Sequence, residues 1–157
     1  MITVYLNTIR SEITDSSGNA LSRVDWPAIP FGAIDTLRLY LRDGSNAKDT
    51  DLNSNDQFRF AVDDDMDATD RPCFRVFDNN IGVNTTDAYV DILFDAYTQQ
   101  MKDAVAGAEP RSTIGYCALR IYDNGDYPSG QPRRLVKFTV YLENDVDDGS
   151  ASSPTPL

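Results

Sequence analysis

Histidine is absent from the chain. Its absence removes the commonest general base, the imidazole metal ligand and any Ser–His or Cys–His couple built within one chain. Cysteine is scarce: Cys73 and Cys117 sit in strand-like runs, with neither C-x-x-C nor zinc-like spacing. A buried, reduced pair is the expected state, and a disulfide between neighbouring strands is the alternative. Basic residues are few, 14 against 25 acidic ones, for a net charge of -11. Such a field repels nucleic acid and anionic membrane, so neither is an expected partner. No apolar run approaches the length of a membrane span. The opening MITVYLNTIR lacks the basic and long apolar regions of a signal peptide. The expectation is a soluble protein made in a cytoplasm. Carboxylates are all that remains for acid–base chemistry. With 25 of them some pair always lies at a glycosidase-like separation, and nothing selects one. The sequence therefore points to a protein that is not an enzyme, with no catalytic residue and no cofactor.

What the chain does have is β-alternation. It is 41% hydrophobic and 10% aromatic, too rich for disorder despite a mean hydropathy of -0.41. Its 157 residues suit one domain, placed at 1–145, followed by a polar Ser/Pro-rich tail at 146–157. Side chains in a strand alternate between faces, so period-2 patterning predicts strands. It appears at 2–9 (Ile2, Val4, Leu6), 34–42 (Leu37, Leu39, Leu41), 57–63 (Phe58, Phe60, Val62), 73–77 and 88–94 (Val90, Ile92, Phe94). A short strand at 20–26 is also expected, ended by Pro27 and Pro30, with IPFG forming a bend or an edge. The strongest signal is a long hairpin from Ser112 to Asn144. Cys117, Leu119 and Ile121 share one face of its first arm, and Val136, Phe138, Val140 and Leu142 one face of its second.

A single helix is expected at 96–106, capped by Asp95, with Tyr97, Met101 and Val105 as its apolar stripe and Gly107 and Pro110 as its stop. The fold class is all-β and mainly antiparallel, a β-sandwich of about 7–8 strands with one short inserted helix. A partly open barrel is the second architecture. The predicted core includes Leu37, Leu39, Phe58, Phe60, Ile92, Phe94, Leu119, Ile121, Phe138 and Val140.

Two kinds of candidate site follow. Clustered carboxylates at Asp63, Asp64, Asp65, Asp67 and Asp70, or at Asp49 and Asp51, offer the oxygens that Ca²⁺ takes. Neither stretch has the glycine and glutamate spacing of an EF-hand, so a solvated acidic loop is the simpler reading and no metal site is assigned. The second candidate is a strand face bearing Tyr and Arg. Tyr5, Tyr40, Tyr89, Tyr122 and Tyr141, with Arg38, Arg42, Arg59, Arg75 and Arg120, occupy positions opposite to the apolar sets. Tyr and Arg are enriched at protein interfaces. Arg38, Tyr40, Arg59, Arg120 and Tyr122 are accordingly the expected contacts with a protein partner. Exposed tyrosines can also stack on sugar rings, which makes a carbohydrate-binding module the alternative.

The order of these segments resembles a known family. PFGAIDTLRLYLRDG is followed by FRFAVDDDMD, then YVDILFDAYTQQMKDAVAG, then GYCALRIYDNG and a closing strand. This is similar to the N-terminal β-sandwich domain of bacteriophage baseplate upper proteins and related tail-fibre modules. Gly32, Asp35, Thr36, Gly115, Tyr116 and Ile121 stand at corresponding places, and the likeness covers residues 25 to 145. The opening stretch has no counterpart. The resemblance implies a structural virion protein, a tail, baseplate or fibre-attachment module made in a bacterial host. It would contact other virion subunits and form a homo-oligomer, with a trimer as one possibility.

Overall fold

The computed structural model describes residues 1–31, 34–64, 74–95 and 112–144. Ten strands form two five-stranded sheets. They are β1 (Ile2–Asn7), β2 (Glu12–Thr14), β3 (Ala28–Phe31), β4 (Ile34–Arg42), β5 (Gln57–Asp63), β6 (Phe74–Phe77), β7 (Ile81–Asn84), β8 (Tyr89–Asp95), β9 (Ser112–Tyr122) and β10 (Arg134–Asn144). The first sheet runs β2-β1-β4-β8-β7 and the second β3-β10-β9-β5-β6. One apolar cluster lies between them, drawn from the inward positions of both. The β-sandwich expected from the alternation is the observed architecture.

Three details differ from expectation. Among the described residues there are ten strands and not seven or eight, because β2 and β7 have only three and four residues, too few to show a period. The sheets are mixed. Six pairings are antiparallel, but β1 runs parallel to β4 and β3 parallel to β10. The chain leaves the first sheet after β2, crosses as β3 to the edge of the second, and returns as β4 beside β1. Third, the strand expected at 20–26 is replaced by one Thr14–Ala20 bridge and a 3-10 turn at Arg23–Asp25. That turn is tied by a Ser22 Oγ to Asp25 Oδ2 hydrogen bond of 3.1 Å. The strand begins instead at Ala28, past Pro27. It lies at the sheet's edge, where a proline at position 30 costs no ladder bond.

Leu37, Leu39, Phe58, Phe60, Ile92, Leu119, Ile121, Phe138 and Val140 are all 3% exposed or less. The β9–β10 hairpin is central in the second sheet, in register from Arg134 opposite Ile121 to Glu143 opposite Ser112. Gly115 leaves room for side chains of the two flanking strands of its own sheet to close over it. A β-carbon there would lie 2.8 Å from Leu142 Cγ and Cδ2 and 3.2 Å from Val62 Cγ1. The first strand ends early, at Asn7, because the Asn7 Oδ1 accepts hydrogen bonds from the Ile9 and Arg10 amides at 3.0 Å and turns the chain. The expected helix at 96–106, the Phe94 side chain, Cys73, the acidic stretch Asp65 to Asp70 and the tail from 146 lie outside the described residues. Among the described residues no helix is long and apolar enough to cross a membrane.

Candidate functional site

The predicted contacts do not share one face. Arg38 and Tyr40 lie on β4 in the first sheet, whereas Arg59 and Arg120 lie on β5 and β9 in the second. Each set points away from the core, on opposite sides of the sandwich. Tyr122 occupies the outward parity of β9 yet is only 2% exposed, since the β9–β10 connector folds over it and Tyr127 meets its ring edge-on at 5.3 Å. It is not available as a contact.

On the first sheet, strand register places Tyr5 beside Tyr40 and Tyr40 beside Tyr89. Tyr5 and Tyr40 stack with centroids 4.8 Å apart and planes 13° apart, and Tyr40 meets Tyr89 edge-on at 5.3 Å. The 4.8 Å separation matches the spacing of neighbouring strands, about 4.7–4.9 Å. The two rings therefore stand on edge across the sheet and turn faces to each other. Arg38 donates through Nε and Nη2 to both Asp91 carboxylate oxygens at 2.8 and 2.9 Å, and lies 4.0 Å from the Tyr89 ring centroid. The Asp91 hydrogen bonds raise its pKa further above the usual arginine value. Arg42 sits over both Tyr40 and Tyr5, at 5.3 and 5.7 Å. This face is knitted into itself. A sugar needs a ring face parallel to the sheet and open to solvent, and the stacked pair offers rims and hydroxyls.

The second sheet presents a different surface. One cross-strand row reads Phe77, Arg59, Arg120, Leu135, and the next Arg75, Ala61, Ala118, Lys137. Among the described residues none of Arg59, Arg75, Arg120 and Lys137 has a carboxylate partner; the Arg75 guanidinium lies over the Phe77 ring at 5.7 Å. Arg59 stands directly opposite Arg120. Like charges so placed cost a few tenths of a kcal/mol or more, roughly the size of a favourable cross-strand pair with its sign reversed. Phe77 and Leu135, at the two ends of that row, are 46% and 44% exposed.

Beside this face lies an ion network that sequence reasoning missed. Arg133 donates to Asp56 through Nη1 and Nη2 at 2.8 Å, to Asp123 Oδ1 at 2.6 Å and to the Asp51 carbonyl at 2.8 Å. Arg134 Nη2 meets Asp49 Oδ2 at 2.6 Å. Burial pushes Asp49 and Asp56 up, but the arginine hydrogen bonds and the amides of Asp51 and Asn53 outweigh it and hold both carboxyls below the ordinary range. The network pins the loop of residues 43–56 to the start of β10. Of the two acids weighed above as cation ligands, Asp49 is engaged by Arg134, and the exposed Asp51 carboxylate lies 3.7 Å from both arginines. Among the described residues no three His, Cys, Asp or Glu side chains are grouped to hold a metal. The signal was present as RR after Pro132 and as acids in two loops, but only the topology brings them together.

A polar cleft of about 230 Å³ closes the far end of the first sheet, lined by Asn7, Ser17, Arg42, Asp43, Ser45 and Asn46 among others. Its walls are twin turns. In one, Asp15 Oδ1 accepts from the Ser17 and Asn19 amides at 2.9 and 3.0 Å; in the other, Asp43 Oδ1 accepts from Ser45 and Ala47 at 2.7 and 3.0 Å. The fourth residue of each is left-handed, Gly18 at φ 89° and Asn46 at φ 62°. The Arg42 Nη1 and Asn46 Oδ1 atoms are buried there without a hydrogen-bond partner. Water is the ligand such a donor and acceptor call for. No family model matches the chain, and no curated protein matches it in sequence.

Proposed function

We propose that this chain is a non-enzymatic assembly module that docks on a protein partner through the outer face of its second sheet. One observation carries the reading: four cations without carboxylate partners, flanked by exposed Phe77 and Leu135, on a chain of net charge -11. Arg38, Arg133 and Arg134, by contrast, are each held by a carboxylate. A solvated face kept only for solubility would carry the chain's prevailing negative sign. Arginine with an aromatic neighbour is the composition of an interface hot spot. The contacts are Arg59 and Arg120 with Arg75 and Lys137; Arg38 and Tyr40, engaged with Asp91 and Tyr5, serve the fold. The stacked Tyr5 and Tyr40 turn their faces to each other, which disfavours a sugar-stacking role for that pair.

The resemblance to baseplate upper proteins supplies the setting, a tail or baseplate of a phage virion assembled in a bacterial cytoplasm. Two measurements test it. Mass spectrometry of purified particles of the encoding virus should find the chain, and its absence would overturn the virion assignment. A folded Arg59→Ala/Arg120→Ala variant should enter particles poorly, and normal incorporation would overturn the face.

A further inference from the structure

We infer that the outer face of the second sheet binds a second copy of this chain, in a twofold pairing that sets an acidic corner of each copy over the arginine rows of the other. The inference rests on the proposed docking role of that face and names its occupant. The charge balance comes first. The chain carries -11 in total, so removing the +4 of Arg59, Arg75, Arg120 and Lys137 leaves -11 - 4 = -15 on the remainder. The surface that these cations complement is the chain's own.

The placement of the acids makes the pairing self-complementary. Past the Arg59–Arg120 row comes the Gln57–Tyr122 row, and immediately beyond it the chain turns at Asp56 and Asp123. Asp51 and Asp123 are 59% and 58% exposed there, with exposed Asp126 in the same turn. Counting Asp49, Asp51, Asp56, Asp123 and Asp126 against Arg133 and Arg134 gives 5 - 2 = 3 net negative charges at this corner. From Asp123 back to Arg120 is three residues, about 10 Å along a strand. The face thus changes sign along the strands within one Debye length at moderate salt, about 10 Å. A twofold axis lying in the contact plane, across the strands between row and corner, superposes negative on positive twice. Twofold contacts are self-complementary in this way.

The same pairing relieves the Arg59–Arg120 repulsion and covers Phe77 and Leu135. Four strands by the length of β5 give a flat area of roughly 20 by 23 Å. That is at the small end of specific interfaces, so charge and not area must hold the pair together.

Sedimentation velocity of the full chain at about 0.05 and about 0.5 M salt tests this, since the Debye length shrinks severalfold between them. The wild type should dimerise at low salt and dissociate at high salt. Arg59→Glu/Arg120→Glu should remain monomeric at low salt with unchanged circular dichroism; if it misfolds, Arg59→Gln/Arg120→Gln should weaken the dimer by about tenfold or more. Asp126→Lys alone should weaken it as well. Mixing Asp126→Lys with the Glu variant should restore part of the association as a heterodimer, because the intact arginine rows of the first meet the intact acidic corner of the second, while in the other contact the Glu pair faces a corner cut from -3 to -1. A wild type that is monomeric at low salt, a dimer indifferent to salt, or a mixture that stays monomeric would overturn the inference. Those results leave the docking reading to stand or fall on particle incorporation, so the two failures are distinguishable.

Discussion

Replacing Arg133 with alanine is the sharpest test of how the sandwich holds its loops. The guanidinium is 21% exposed and its main partner, the Asp56 side chain, 3%. Removing it strands one buried carboxylate, leaves Asp123 without its 2.6 Å partner, and frees the Asp51 carbonyl. Removing one member of a fully buried pair costs about 3–5 kcal/mol. Arg133 and Asp123 keep contact with water, which shifts the expected loss below that range, to about 2–4 kcal/mol. For a protein of this size each kcal/mol moves Tm by roughly 2–4 °C, so Tm should drop by about 4–16 °C. Urea denaturation of Arg133→Ala, Asp56→Ala and the double variant would separate pairing from packing, with a coupling of about 1.5–3 kcal/mol expected across the cycle. A single-variant loss under about 0.5 kcal/mol, or strict additivity, would refute the network as a staple.

The same network fixes the direction of acid sensitivity. The folded-state pKa values of Asp49 and Asp56 lie below the ordinary value of 3.8. Depressed carboxyl pKa values contribute stability that is present in full above the unfolded pKa and lost as pH falls through the folded one. Wild-type stability should therefore hold above about pH 5 and decline below about pH 4. In Arg133→Ala that decline should be shallower, because the unpaired Asp56 carboxyl is no longer held low. A steeper acid decline in the variant would reverse the assigned sign.

Three further outcomes follow from the packing. Phe138→Ala empties a site 3% exposed, whose ring lies 6.1 Å from Phe60, and should cost about 3–5 kcal/mol in urea denaturation; under about 1 kcal/mol would refute the β9–β10 register. Gly115→Ala places a methyl 2.8 Å from Leu142 and should cost about 1–3 kcal/mol, with Leu142→Val returning part of it; a neutral Gly115→Ala would show that Leu142 does not close over Gly115. Burial pushes the Cys117 thiol far above its usual pKa, so peptide mapping after alkylation of the native protein should find Cys117 unmodified until denaturant unfolds the chain; rapid native labelling would place it outside the core.

The sandwich was legible because its long strands each carry an unbroken alternation against one core. Leu37–Leu39–Leu41 and Phe58–Phe60–Val62 have no second periodicity to compete with. The short strands were not legible, since three or four residues at Glu12–Thr14 or Ile81–Asn84 take their pairing from the neighbour and not from their own pattern. Pro27 marked a boundary correctly but on the wrong side: the strand follows it and does not precede it. There Trp26 packs on Tyr141 at 5.5 Å beneath the Arg23 guanidinium.

The candidate surface was legible only in part, for a reason inherent in a two-layer fold. Period 2 tells inside from outside, but both sheets have an outside, and nothing local says which strand joins which sheet. Arg38 and Arg120 thus share a parity and lie on opposite sides of the molecule. What separates their roles is the cross-strand partner. Register sets Arg38 opposite Asp91, so the pair closes and the guanidinium is consumed by the fold. Register sets Arg120 between Arg59 and Leu135, which offer it no acceptor. An arginine's availability is therefore a property of the strand pairing and not of its own sequence neighbours.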